Sequence, residues 1–242
     1  MSNKRIDALS PGTFTLDGQE IEFGPGDTIL QAATRAGGYI PHLCWHEGLH
    51  AHGSCRLCTV KVNGRMGAAC TVLASAGQHV ESNTEELNTQ RRTLLQMLFV
   101  EGNHFCPSCE KSGNCRLQAT AYEADMTGPH FEEFYPNRKV DASHPDLLLD
   151  LNRCILCELC VRASREIDGK NVFAMGGHGV GVHLVVNSPS GLLGDSDIAL
   201  TDHAAHICPV GALLPKRQGF AVPIGQRRFD LKPVSESEEG VS

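Results

Sequence analysis

Aromatic residues are scarce in this chain of 242 residues, with one Trp, three Tyr and nine Phe. Any core must therefore be mainly aliphatic. No apolar run approaches the roughly 20 residues that cross a bilayer, and the opening MSNKRIDALSPG lacks the apolar stretch of a secretory signal. The expectation is a cytoplasmic protein with no membrane span. Blocks of positive charge are missing too: the formal charge is −7, with acidic and basic residues interspersed. Nucleic acid, whose phosphates call for a basic stripe, is not an expected partner. The phosphate-cradling G-x-x-x-x-G-K-S/T pattern is absent. The run GGHGVG at 176–181 does not fit G-x-G-x-x-G and lies outside a strand-to-helix context, so it reads as a glycine-rich loop. With no evident site for flavin, nicotinamide or substrate, no catalytic residue is assigned.

What the chain does carry is eleven Cys and twelve His. An odd cysteine count without an export signal points to metal rather than to a disulfide framework. The cysteines fall into groups of four (Cys44, Cys55, Cys58, Cys70), three (Cys106, Cys109, Cys115) and four (Cys154, Cys157, Cys160, Cys208). In the first group one C-x2-C pair sits between two distant cysteines. A zinc ribbon normally brings two such pairs, whereas a plant-type [2Fe–2S] loop has one inside it and a remote fourth ligand. Gly53, in GSCRLC, suits a backbone that must approach inorganic sulfide closely.

In the third group, Cys154-x2-Cys157-x2-Cys160 puts three thiolates on one compact loop, and Cys208-Pro209 supplies a remote fourth for a [4Fe–4S] cubane. The middle group is one ligand short. On spacing alone His104 stands equally as the fourth ligand or as a solvated loop residue. His42, His46, His50 and His52 near Cys44, and His203 and His206 before Cys208, flank sites that already have four thiolates. They read as supporting or surface residues. Arg56, Arg153 and Arg162 stand beside cysteines, where a cation would offset cluster charge or would simply be solvated.

Periodicity sketches the architecture. TFTL and IEF flank Asp17-Gly18 as a hairpin, Asp27 caps a helix over ILQAATRA that stops at Gly37-Gly38, and TVKV turns back at Asn63-Gly64. Gln78–Val80 adds a further edge. Leu87, Leu94, Leu95 and Leu98 mark one helical face from about Glu85, packed on the preceding domain. LLLDLNRCILCELCVRASREIDG reads as a turn of helix, a ligand loop and a helix from Val161 to Gly169, while VHLVV (182–186) reads as a strand. The fold class is α+β. A β-grasp [2Fe–2S] ferredoxin-like domain is expected at 1–84, and a helical His/Cys3 segment with a linker containing Gly128-Pro129 and Tyr135-Pro136 at 85–140. A ferredoxin-like [4Fe–4S] domain follows at 141–225, then a disordered tail at 226–242.

GSCRLC with its flanking cysteines, GNHFCPSCEKSGNC, NRCILCELCVRASREIDGKNVF and ICPVGALLPK, in this order over about residues 12–222, resemble the small diaphorase iron–sulfur subunit of NAD-reducing [NiFe] hydrogenases. That family is similar to the N-terminal part of the complex I large iron–sulfur subunit. The resemblance implies a [2Fe–2S] cluster on Cys44, Cys55, Cys58 and Cys70. It implies [4Fe–4S] clusters on His104, Cys106, Cys109, Cys115 and on Cys154, Cys157, Cys160, Cys208. FMN and NAD are expected on a partner, the flavin/NAD-binding diaphorase large subunit, and H2 chemistry on the small and large NiFe-hydrogenase subunits. The complex I pattern places its His four residues before the first Cys of the middle group, a position held here by Gly102. The large molybdopterin-enzyme-like domain of complex I does not follow, which favours the hydrogenase subunit. Homologous subunits of NAD-dependent formate dehydrogenases, bifurcating hydrogenases or complex I-like enzymes are the redox alternatives, and a zinc-stabilised scaffold is the non-redox one.

Overall fold

A computed structural model of the chain describes residues 10–128 and 130–237. Strands β1 (Gly12–Leu16) and β2 (Gln19–Phe23) form a hairpin. Its turn holds Asp17 and Gly18 at φ 49° and 86°, the left-handed pair that matches the twist of two antiparallel strands. Alternation buries Phe14, Leu16, Ile21 and Phe23 in one core with Ile29, Leu30, Ala32 and Ala33 of helix α1 (Ile29–Arg35). The helix cap differs from expectation. Thr28 accepts from Gln31 N, and the Gln31 side chain accepts from Thr28 N. Asp27 is engaged in the preceding turn, accepting from Gly24 N and pairing with Arg35.

Strands β3 (Thr59–Val62), β4 (Arg65–Ala68) and β5 (His79–Glu81) complete a five-stranded sheet in the order β2-β1-β5-β3-β4. The segment expected at an edge is thus central: β5 runs parallel to β1 and antiparallel to β3. Three residues carry no pattern that distinguishes a central strand from an edge one; the crossover from β4 decides it. Helix α2 (Glu85–Val100) follows, capped by Thr84. Leu87 and Leu95 are buried, while Leu94 and Leu98 pack beside them. The same face buries Arg91, which donates to the Leu57, Ser82 and Thr59 carbonyls at 3.0, 2.7 and 2.9 Å and clamps the helix to the sheet.

Helix α3 (Arg116–Glu123) leads through a long loop to β6 (Val140–Asp141) and β7 (Leu147–Asp150). Then come α4 (Leu159–Glu166), the hairpin β8 (Phe173–Gly176) and β9 (His183–Val186), α5 (His203–His206) and β10 (Leu213–Pro215). The stretch LLLD is strand β7, because β10 supplies its partner from far along the chain, Leu213 opposite Leu149, and the helical turn expected before the ligand loop is confined to Leu151–Arg153. The described part of the tail, 226–237, is ordered, unlike the expectation. It forms α6 (Arg228–Leu231), whose Phe229 N donates to Gly113 O at 2.9 Å, and it buries Val234. Residues 238–242 of the tail, Pro129 of the linker and residues 1–9 lie outside the described residues. Among the described residues no helix is long and apolar enough to cross a membrane.

Candidate metal centres

The first cysteine group is gathered by the loop before β3 and the turn after β4. Its thiols stand as two pairs: Cys58 and Cys70 have sulfurs 3.4 Å apart, and Cys55 N donates to Cys44 Sγ at 3.4 Å. Two irons with two thiolates each need this arrangement. Gly53 has φ +74°, and a Cβ there would come within 3.2 Å of Thr71. Arg56, between Cys55 and Cys58, also takes a left-handed φ of 58° and points to solvent. The ligand loop is therefore wound tightly at some backbone cost. A hydrogen bond from Cys55, working against burial, holds the Cys44 thiol down to about 5.

In the C-terminal group, Leu156 and Glu158 straddle Cys157 with φ of 54° and 58°, turning a short segment around its three cysteines. Cys208 is an electrostatic neighbour of Cys154, Cys157 and Cys160 alike, so the four thiols are gathered. Burial pushes Cys154 up to about 11 and Cys157 and Cys160 further still. A buried thiolate needs a cation, and a bound metal would supply one and let these sulfurs ionise.

Cys106, Cys109 and Cys115 also gather, each of the first two charges acting on Cys115, whose thiol burial raises to about 12. The backbone carbonyl of His104 lies 3.6 Å from Cys106 Sγ, and its side chain is held in a specific state. Its ring packs on Phe99, with centroids 5.5 Å apart, and is bound to the Leu98 carbonyl. Its Nε2 is buried with no hydrogen-bond partner. The carbonyl bond therefore runs through Nδ1–H, which leaves Nε2 as a lone pair, the state a metal-bound imidazole adopts. Burial first, then the charges of Arg153 and Arg138, lowers its pKa to about 4, so the ring is neutral near pH 7. A Cβ on Gly102 would lie 2.6 Å from Nε2. The imidazole of residue 104 thus fills the space into which a side chain at 102 would project.

The C-terminal group is linked to both others. Arg162 donates to the Cys44 and Cys157 carbonyls at 2.6 and 3.2 Å. On the other side a Cβ on Gly211 would meet Cys109 Sγ at 2.8 Å. Arg153 Nη1 lies 3.7 Å from that sulfur, and Arg116 N donates to Pro209 O at 2.9 Å. A longer link joins the first and middle groups, where Arg116 meets His42 Nε2 at 2.9 Å. Among the remaining histidines, His50 pairs with Glu166 at 3.1 Å and His203 with Asp168 at 3.3 Å. The bridging roles of Arg153, Arg162, Arg116 and His42 were not legible in the sequence, because each acts on a residue distant in the chain. A charged residue within two positions of a ligand cysteine was the one signal available. Among the described residues no three His, Cys, Asp or Glu side chains stand close enough to hold one metal ion. Tetrahedral zinc would draw its sulfurs to about 2.3 Å from one point.

Three family models match in succession: a 2Fe-2S iron-sulfur cluster binding domain at 10–85, the NADH-ubiquinone oxidoreductase-G iron-sulfur binding region at 91–130, and a 4Fe-4S single cluster domain at 147–214. The gamma chain of the NAD-reducing hydrogenase HoxS of Cupriavidus necator is 40% identical over 221 residues, covering 91% of this chain and 94% of that protein. The G chain of NADH-quinone oxidoreductase from Rickettsia bellii is 34% identical over 90% of this chain, which spans 31% of that relative's length. A chain in a crystal structure of NAD+-reducing [NiFe]-hydrogenase in the H2-reduced state superimposes with a TM-score of 0.90 at 57% identity, covering 94% of this chain and 98% of that one. The 40% identity along 94% of the HoxS gamma chain, with 57% identity to the solved hydrogenase chain, shows the family: this chain belongs to the family of gamma subunits of NAD-reducing hydrogenases.

Proposed function

We propose that this chain is the electron-transfer subunit of the diaphorase module of a cytoplasmic NAD-reducing hydrogenase. The observation that carries the reading is the link between the cysteine groups: Arg162 joins the Cys44 and Cys157 carbonyls, and Gly211, three residues after Cys208, lies beside Cys109. Sites joined through single residues, Arg162 on one side and Gly211 on the other, suit relay, and no substrate cleft is needed. Cys44, Cys55, Cys58 and Cys70 would hold a [2Fe–2S] cluster, and His104, Cys106, Cys109 and Cys115 a [4Fe–4S] cluster. Cys154, Cys157, Cys160 and Cys208 would hold the second [4Fe–4S] cluster. When bound, these clusters supply one-electron redox chemistry between a partner bearing FMN and NAD and partners bearing the nickel–iron centre.

The chain's own residues hold and insulate the sites. Left-handed Arg56, Leu156 and Glu158 wind the ligand loops. Leu43, Leu49, Leu57 and Leu159, all buried, keep water from the region between the first and C-terminal groups. Arg153 sits between the C-terminal and middle groups, its charge met by Glu110 and Asp150 at 2.7 and 3.0 Å. The reading divides the chain at 1–84, 85–140 and 141–225, and orders the sites first, C-terminal, middle, which is not their order in the sequence. The test is metal content and coupling. The purified subunit should hold about ten irons with matching acid-labile sulfide. In the complex, Cys154→Ser should abolish H2-dependent NAD reduction while each half-reaction with an artificial dye survives. Coupling that persists without the C-terminal cluster would refute the relay.

A further inference from the structure

Arg162 lies two residues after Cys160 on α4 and is buried, with 4% of its surface exposed. Its guanidinium makes hydrogen bonds to carbonyls alone: His50 at 2.6 Å, Cys44 at 2.6 Å and Cys157 at 3.2 Å, while its Nε is buried without a partner. Among the described residues no carboxylate comes within ion-pair distance of it. The nearest candidate on its own helix, Glu166, is bound to His50 and Arg165 instead. Arg153 is different, since Glu110 and Asp150 neutralise it. A buried cation facing only carbonyl dipoles is costly unless an anion stands nearby. The groups that flank Arg162 on both sides are the cysteine sets that contain Cys44 and Cys157.

We infer that Arg162 is a shared counter-cation for the first and C-terminal sites, fixing the potentials of both while it ties their ligand loops together. This rests on the reading of those cysteine sets as iron–sulfur sites. Four thiolates make each loaded site anionic, and one further electron makes it more so. A fixed positive charge between them, shielded from water, favours the electron in either site. Because Arg162 reaches Cys44 and Cys157 but none of the middle ligands, its influence is selective. It is a positioning residue, and the bland alternative is a clamp like Arg91, whose only task is to satisfy carbonyls.

The test is an EPR redox titration of the iron-loaded wild-type chain and of Arg162→Gln and Arg162→Lys. The wild type must first show its cluster signals; their absence would sink the iron–sulfur reading itself rather than the role of Arg162. In Arg162→Gln the reduction equilibria of the first and C-terminal sites should each fall at least tenfold, about 59 mV for one electron, with the middle site unmoved. Arg162→Lys, which keeps the charge, should stay within about threefold of wild type, half a decade on that scale. Each variant decides alone if the other fails to keep its clusters. Unchanged potentials in the Gln variant, equal shifts at all three sites, or a tenfold shift in the Lys variant would overturn the inference.

Discussion

Alanine at position 102 would put a methyl group where the His104 imidazole now lies. The added carbon would stand 2.6 Å from Nε2 and 2.8 Å from the Asn152 carbonyl, against ordinary contacts of 3.4–4 Å. That carbonyl cannot retreat, because it accepts from Asn103 N at 2.8 Å and belongs to the turn that leads into Cys154. The ring must give way, losing its seat on Phe99 and its bond to the Leu98 carbonyl. Overpacking of this kind costs about 1–3 kcal/mol, which lowers the share of molecules with the ring seated about 5- to 150-fold. If Nε2 is the fourth ligand, Gly102→Ala should weaken the middle cluster as His104→Ala does, with iron per chain falling from about ten toward six. The other two EPR signals should remain. A second variant sharpens the argument. Gly102→His combined with His104→Gly launches an imidazole from the position that points at the same space, and should restore the signal. Full iron and an unshifted middle signal in Gly102→Ala would refute the ligand assignment.

Other perturbations follow from the same geometry. Gly211→Ala, at ordinary φ, drives a methyl to 2.8 Å from Cys109 Sγ, and should shift or destabilise the middle cluster at a cost of about 1–3 kcal/mol; an EPR spectrum identical to wild type would deny the contact. His42 is held to about 3 by burial and by Arg116, below its ordinary 6.5. The unfolded chain therefore binds the proton that the folded one refuses, and stability present above pH 6.5 is lost as pH falls. Between pH 6.5 and 5 the loss amounts to about 2 kcal/mol, which urea titration should detect in wild type and find absent in His42→Gln. Arg91→Met leaves the Leu57, Thr59 and Ser82 carbonyls without their donor, and should lower stability by about 2–4 kcal/mol; a change below about 0.5 kcal/mol in thermal or urea unfolding would contradict the clamp. Iron removal should expose the core around Cys44, Cys58, Cys115 and Cys157, all of them buried, and dye binding to the chelated protein would report it.

Much of this protein is written locally. Hairpin turns at Asp17-Gly18 and Asn63-Gly64 are set by residues that tolerate positive φ. The α2 face is set by leucine spacing, and the three thiol groups by cysteine spacing that leaves few chemistries open. These depend on neighbours within a few residues, which a sequence displays directly. Errors fell where a distant segment decides. β5 is central because β1 and β3 close on it, and LLLD is a strand because β10 pairs with it. The tail from 226 to 237 is ordered because Val234 finds a buried place and Phe229 N finds Gly113 O.

The sequence by itself determined how the eleven cysteines group, four, three and four, because most of each group lies within a short stretch of chain. Only the tertiary structure decided how the sites stand to one another. The group that is last in the chain is linked to both of the others, and a buried Arg162 joins carbonyls of Cys44 and Cys157 across more than a hundred residues. Tertiary packing also gave His104 its lone pair, by binding Nδ1–H to Leu98 and burying Nε2 against a glycine. Hydrogen bonds to backbone carbonyls can be made from any position in the chain. No spacing rule marks them, and they exist only once the loops have been brought together.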